Sequence, residues 1–131
     1  MKTTTTWRSG HQFVSEQAGA RINIDAANGF SPKALLLAGL AGCSGVDVVD
    51  ILEKMRVPFA NLVIEAEADQ TDEPPRVFKT IHIRYIITAD EEVRDKVIKA
   101  IELSLEKYCG VAAMLRKNST IEYSLELKPE A

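Results

Sequence analysis

The sequence predicts an α+β fold in which an antiparallel sheet wraps around a central apolar helix. Three observations carry this. Strand-like and helix-like segments come as strands, helix, strands, helix, not in the regular alternation of a parallel sheet. The run Ala34–Val46 carries no charge on any side, yet lies inside a longer helical pattern. The length of 131 residues, with 46% hydrophobic and 27% charged, is that of one globular domain able to bury a core, read here as residues 1–131.

Thr3–Arg8 is β-branched and polar, His11–Ser15 is placed to pair with it, and Ala20–Asp25 alternates around Ile22 and Ile24. Ala26–Gly29 is a turn. Ser31-Pro32 opens a helix, with Ser at the N-cap and Pro at the first helical position. That helix should run to about Arg56, since the residue before Pro58 avoids helical geometry. A helix apolar on all sides needs cover on all sides, which one small domain supplies with difficulty, so contacts with a partner are expected. Gly39, Gly42 and Gly45 each cost this helix about 1 kcal/mol relative to Ala, and close backbone approach is the expected return.

Leu62–Asp69 and Val77–Thr88 read as strands, the second with Val77, Ile81, Ile83, Tyr85 and Ile87 on its inner face. A second helix starts near Asp90, its acids suiting the helix dipole, with Val93, Val97, Ala100, Ile101, Leu105 and Tyr108 as its buried stripe. The chain breaks at Cys109-Gly110, resumes as a short helix over Val111–Lys117, and closes with the strand Thr120–Lys128.

The net charge is −3, from 16 basic and 19 acidic residues, with no basic cluster beyond Arg116-Lys117 and 6% aromatics. Nucleic-acid binding, which draws on a basic face or stacking platforms, is disfavoured. The polar N-terminus lacks the apolar core of a signal peptide, and Ala34–Val46 is too short to span a bilayer, so a cytoplasmic protein is expected. In that compartment Cys43 and Cys109 are expected to be reduced thiols.

Cys43 lies mid-helix, where a cysteine most often packs as a small apolar residue. Cys109 lies at a helix break beside Lys107, where backbone amides and an ammonium favour a thiolate; a free thiol near the surface is the other reading. Asp47 and Asp50, at i+4 and i+7 from Cys43, share its helix face, with Asp50 the more solvated reading. Carboxylates and apolar surroundings disfavour a thiolate at Cys43, so an activating cation must come from elsewhere: Arg8, Arg21, Lys33 or Arg84. His11 and His82 show no ligand spacing with the cysteines, so no metal or cofactor is implied. Gly39–Gly45 lacks the glycine order of a dinucleotide loop, and Val46 stands where a nucleophile elbow needs glycine.

The segment from Ser31-Pro32-Lys33 through Leu35 to Gly42-Cys43, together with Lys107-Tyr108-Cys109-Gly110-Val111-Ala112, resembles the two cysteine segments of the OsmC/Ohr family. These are the osmotically inducible protein C and organic hydroperoxide resistance proteins. The likeness covers nearly the whole chain and is nearest the short YhfA-like branch.

The resemblance implies an intertwined homodimer, with sheets wrapped around central helices and a thiol site at the interface. It implies that Cys43 is a peroxidatic cysteine, attacking an organic hydroperoxide to give a sulfenic acid, and that Cys109 resolves it as a disulfide. An external dithiol, lipoyl-type in this family, then restores both thiols. Characterised peroxidases of the family carry a glutamate directly after the helix proline, paired with an arginine. Here that position is Lys33, close to three turns before Cys43 and a candidate replacement for the missing activator. The alternative is a non-catalytic dimer that binds a small hydrophobic ligand at its interface; a purely structural protein whose cysteines only pack is the third reading.

Overall fold

The computed structural model describes residues 1–130, which fall into two compact units, Met1–Ala38 and the described residues from Gly39 onward. The first unit holds a three-stranded antiparallel sheet, β1 (Thr4–Ser9), β2 (Gln12–Gln17) and β3 (Ala20–Ile24). Ala18 and Gly19 both take positive φ in the two-residue turn joining β2 to β3, the geometry that matches the right-handed twist of a hairpin. Gly29 lies under the Asn23 carbonyl, where an added Cβ would come within 2.8 Å of backbone oxygen. The sheet is poorly covered, with Trp7, Phe13, Ile22 and Phe30 all exposed.

Helix α1 (Pro32–Lys54) begins in this unit and continues through the second. It ends two residues earlier than Pro58 alone predicts. The Arg56 and Val57 amides return to the Glu53 and Leu52 carbonyls while Arg56 takes φ 58°, a Schellman closure with arginine in the place usual for glycine. Val57 and Leu52, the apolar pair of that closure, are both buried.

In the second unit, β4 (Ala60–Gln70), β5 (Phe78–Thr88) and β6 (Thr120–Lys128) form the second sheet. The expected alternation holds: Ile81, Ile83, Tyr85 and Ile87 are at most 1% exposed. Val77 is a correction, since the strand starts at Phe78 and Val77 is exposed. The uniformly antiparallel sheet is a second correction. β4 and β5 are antiparallel, but β5 and β6 pair parallel from Thr80–Thr120 to Thr88–Lys128. The helices between β5 and β6 make the crossover connection that a parallel pair requires.

Between these strands lie a single 3₁₀ turn (Glu91–Val93), α2 (Arg94–Leu103), a π-helical turn (Ser104–Tyr108) and α3 (Gly110–Arg116). The π turn corrects the predicted buried stripe. By widening the helix it carries Ser104 and Leu105 into the core and turns Tyr108 out to 55% exposure.

The core joins one line of α1 to the inner face of β5. Leu40, Ser44, Val48 and Leu52, spaced by four, are each at most 1% exposed. Other faces of α1 are open, with Leu36 and Val46 at 49% and 63%. Of its three glycines, only Gly45 meets another element, with Ile64 Cδ1 at 3.1 Å from an added Cβ; Gly39 and Gly42 face open space. Among the described residues, α1 is the one helix long and apolar enough, by length and composition, to cross a bilayer.

Candidate functional site

Cys43 stands on α1, one residue before the buried Ser44, and is half-buried. Cys109 ends the π turn and is 3% exposed. Its extended backbone places it at the N-cap of α3, where its sulfur accepts the Ala112 N–H at 3.4 Å. Both cysteines are free thiols, and Cys43 is near enough to act on the Cys109 thiol. The residues that the two motifs single out are thus brought together.

The expected thiolate at Cys109 is corrected. Burial pushes its thiol up to about 11. The neighbouring Cys43 adds to that, and the Ala112 and Val111 amides oppose it without prevailing. Lys107 does not help: its ammonium lies over the Tyr108 ring, 5.3 Å from the centroid.

Of the four candidate cations, Arg84 is on the wrong side of β5. It sits between Glu65 and Glu126, at 2.9 Å and 3.0 Å, on the sheet face opposite Tyr85. Those two carboxylates raise its guanidinium above its ordinary value, led by the hydrogen bond to Glu65. Arg21 pairs with Glu16 at 2.9 Å, and Arg8, Arg21 and Lys33 all belong to the first unit. Lys33 is the second residue of α1 and half-buried. His82 faces the outer side of the second sheet, hydrogen-bonded to Ser124 at 3.0 Å, and His11 lies in the β1–β2 turn. Among the described residues no group of three His, Cys, Asp or Glu side chains is placed to hold a metal ion.

A buried chain of hydroxyls runs beside the thiols. Tyr85 and Ser104 each lie within hydrogen-bonding distance of Ser44 Oγ, at 2.6 Å and 2.8 Å, and Ser104 donates to Asp47 Oδ2 at 3.1 Å. Tyr85, Ser44 and Ser104 are all 0% exposed. Because the carboxylate only accepts, the proton order is set: Tyr85 donates to Ser44, Ser44 to Ser104, and Ser104 to Asp47. Burial, chiefly, pushes the Tyr85 hydroxyl up to about 12, with the charges of Cys109, Tyr123 and Asp47 adding and the Ser44 hydrogen bond opposing. Tyr85 also stacks edge-on with Tyr123, centroids 6.2 Å apart.

Asp47, by sequence the less solvated of the two helix acids, is half-buried while Asp50 is exposed. Ser44, Tyr85 and Ser104 belong to no sequence motif that marks them as chemistry. The available signal was phase: Ser44 falls midway between Leu40 and Val48 on the buried line of α1.

A family model described as OsmC-like protein matches residues 25–124. The chain belongs to the OsmC-like family. It is 35% identical to Protein YhfA of Escherichia coli strain K12, over 97% of this chain and 98% of that one. Among solved structures, a hypothetical protein from Aquifex aeolicus VF5 is 30% identical and superposes with a TM-score of 0.89, covering 99% of this chain and 97% of that chain. The organic hydroperoxide resistance protein OhrB of Bacillus subtilis, 21% identical, shares the fold at a TM-score of 0.66, covering 95% of this chain and 96% of its own. Within this OsmC-like α+β fold, the line of α1 packed against β5 makes it a core helix.

Proposed function

We propose that the protein is a thiol-dependent peroxidase reducing organic hydroperoxides, with Cys43 and Cys109 as its catalytic pair. The observation that carries this reading is a pair of free thiols, one half-buried and one buried, on separate elements that the 2.8 Å Ser44–Ser104 hydrogen bond joins. The Cys43 thiolate attacks the O–O bond; an S–O bond forms, the O–O bond breaks, and the alkoxide departs to be protonated as the alcohol. Cys43 is left as a sulfenic acid. Cys109 then attacks the Cys43 sulfur, an S–S bond forms and the S–O bond breaks. Because burial makes Cys109 hold its proton, that proton travels to the departing oxygen, which leaves as water. An external dithiol, lipoyl-type by analogy with the family, reduces the bridge by thiol–disulfide exchange, as a cytoplasmic setting supplies.

The working form is an intertwined homodimer of one OsmC-like domain per chain. Its support is the exposed apolar surface: Leu36 and Val46 on α1, and the uncovered sheet that carries Trp7 and Ile22. A second reading, a dimer that binds a small hydrophobic ligand without chemistry, is favoured by Lys33 in the family's glutamate position. The open apolar groove between Gly42, Gly45, Val46, Leu62 and Ile64 also supports it.

The test is stoichiometric cumene hydroperoxide added to the reduced protein, with disulfides mapped by mass spectrometry and Cys43→Ser as control. A rapid Cys43–Cys109 bridge, absent in the control, is expected. Thiols that stay reduced would remove the peroxidase and leave the ligand-binding dimer.

A further inference from the structure

Two hydrogen bonds at Ser104 connect the residue beside Cys43 to Cys109, and neither passes through sulfur. The first is the Ser44–Ser104 hydrogen bond of 2.8 Å. Ser44 adjoins Cys43 in the chain. The second is in the π turn, where the Ser104 carbonyl accepts the Cys109 N–H at 2.7 Å. In an unbroken α-helix that N–H would go to Leu105; instead the Leu105 carbonyl accepts from Arg116 of α3, the helix that Cys109 caps. Ser104 therefore grips Ser44 with its side chain and Cys109 with its backbone.

Packing alone does not call for this arrangement. Alanine would fill both fully buried serine positions without a polar group to satisfy, whereas a buried hydroxyl is tolerated only when hydrogen-bonded. Here both hydroxyls are bonded, and the chain ends on the Asp47 carboxylate, which fixes its direction. A buried polar network of this kind selects one geometry among several apolar packings of similar energy.

We infer that Ser44 and Ser104 are positioning residues for the thiol pair: their hydrogen bond holds Cys43 and Cys109 in the register from which the disulfide closes. The inference rests on the proposed Cys43–Cys109 redox pair but not on the hydroperoxide as oxidant. Bridge closure can be driven by oxidised dithiothreitol, whose disulfide is reduced to two thiols as the two cysteine thiols become S–S, their protons passing to the departing sulfurs.

The experiment is equilibration of the full-length protein in mixtures of oxidised and reduced dithiothreitol, quantifying the bridge by mass spectrometry. Wild type, Ser104→Ala, Ser44→Ala and Tyr85→Phe are compared, each checked for folding by circular dichroism. Ser104→Ala and Ser44→Ala should lower the equilibrium constant for closure about 10-fold. Tyr85→Phe removes only the outer end of the chain and should stay within about twofold of wild type.

A purely structural role predicts otherwise, because a substitution that destabilises oxidised and reduced forms equally lowers the melting temperature and leaves the closure constant unchanged. An unchanged constant in a folded Ser104→Ala or Ser44→Ala protein overturns the inference, and if one variant does not fold the other decides. Should neither fold, sucrose is added to restore folding of the serine variants, and the same two outcomes decide. A wild-type chain that never closes the bridge overturns both the inference and the redox pair. Closure without consumption of cumene hydroperoxide overturns the peroxidase alone.

Discussion

Arg84 and Tyr85 are neighbours on β5 and face opposite sides of its sheet. Tyr85 is fully buried with its hydroxyl on Ser44, while Arg84 bridges Glu65 and Glu126 across three strands on the outer face. This one-residue alternation separates the thiol site from a cation held by two carboxylates. Arg84→Met should therefore leave the rate of Cys43 oxidation by cumene hydroperoxide unchanged. Its melting temperature should move only slightly, because exposed ion pairs contribute little. A large loss of oxidation rate would bring Arg84 back as an activator.

The two thiols differ in exposure, and this orders their reactivity. Iodoacetamide at about pH 8, where an ordinary thiol is partly ionised, should label half-buried Cys43 well before Cys109, which is 3% exposed. Peptide mass mapping over a time course reads the order directly. Equal rates would contradict the burial of Cys109.

Cys109 also predicts a pH dependence of stability. Its folded value is raised to about 11 from an ordinary 9.0, so between these values the folded state keeps a proton that the unfolded state has lost. Stability from this source is complete below about pH 9 and declines as the pH rises toward 11. Urea unfolding at about pH 8.5 and about pH 10.5 should differ by about 2 kcal/mol more in wild type than in Cys109→Ala. Tyr85, raised from 10.0 to about 12, adds a further decline at the top of this range in both proteins.

Val46 is 63% exposed on α1, so a glutamate there costs an isolated chain little. In the proposed dimer the same charge would be buried against a partner. Val46→Glu should keep its circular dichroism spectrum and raise the dimer dissociation constant by at least about 10-fold, as read by sedimentation. A variant that sediments like wild type would place the dimer contact elsewhere.

Leu52 is 0% exposed and belongs to the Schellman closure with Val57. Leu52→Ala removes core packing and the apolar pair that ends α1, and should cost about 3 kcal/mol in chemical denaturation. A cost below about 1 kcal/mol would mean that the helix end is held by Pro58 rather than by this contact.

Much of this was legible in the chain itself. Alternating residues on β4, β5 and β6, the Ser-Pro opening of α1 and the break at Cys109-Gly110 each report a local periodicity or backbone constraint, and local constraints survive without knowledge of neighbours. The two cysteine segments, read together, pointed to the OsmC-like family because order and spacing are properties of sequence.

What only the tertiary structure decided is pairing. Alternation says which face of a strand is buried, not which strand lies beside it, and so the parallel β5–β6 register escaped a reading that expected antiparallel neighbours. Helical phase assumed 3.6 residues per turn, and the π turn breaks that phase between Ser104 and Tyr108, burying a serine and exposing a tyrosine. The Ser44–Ser104 contact joins residues 60 apart, and a serine on an apolar line becomes chemistry only when the fold brings another hydroxyl to meet it.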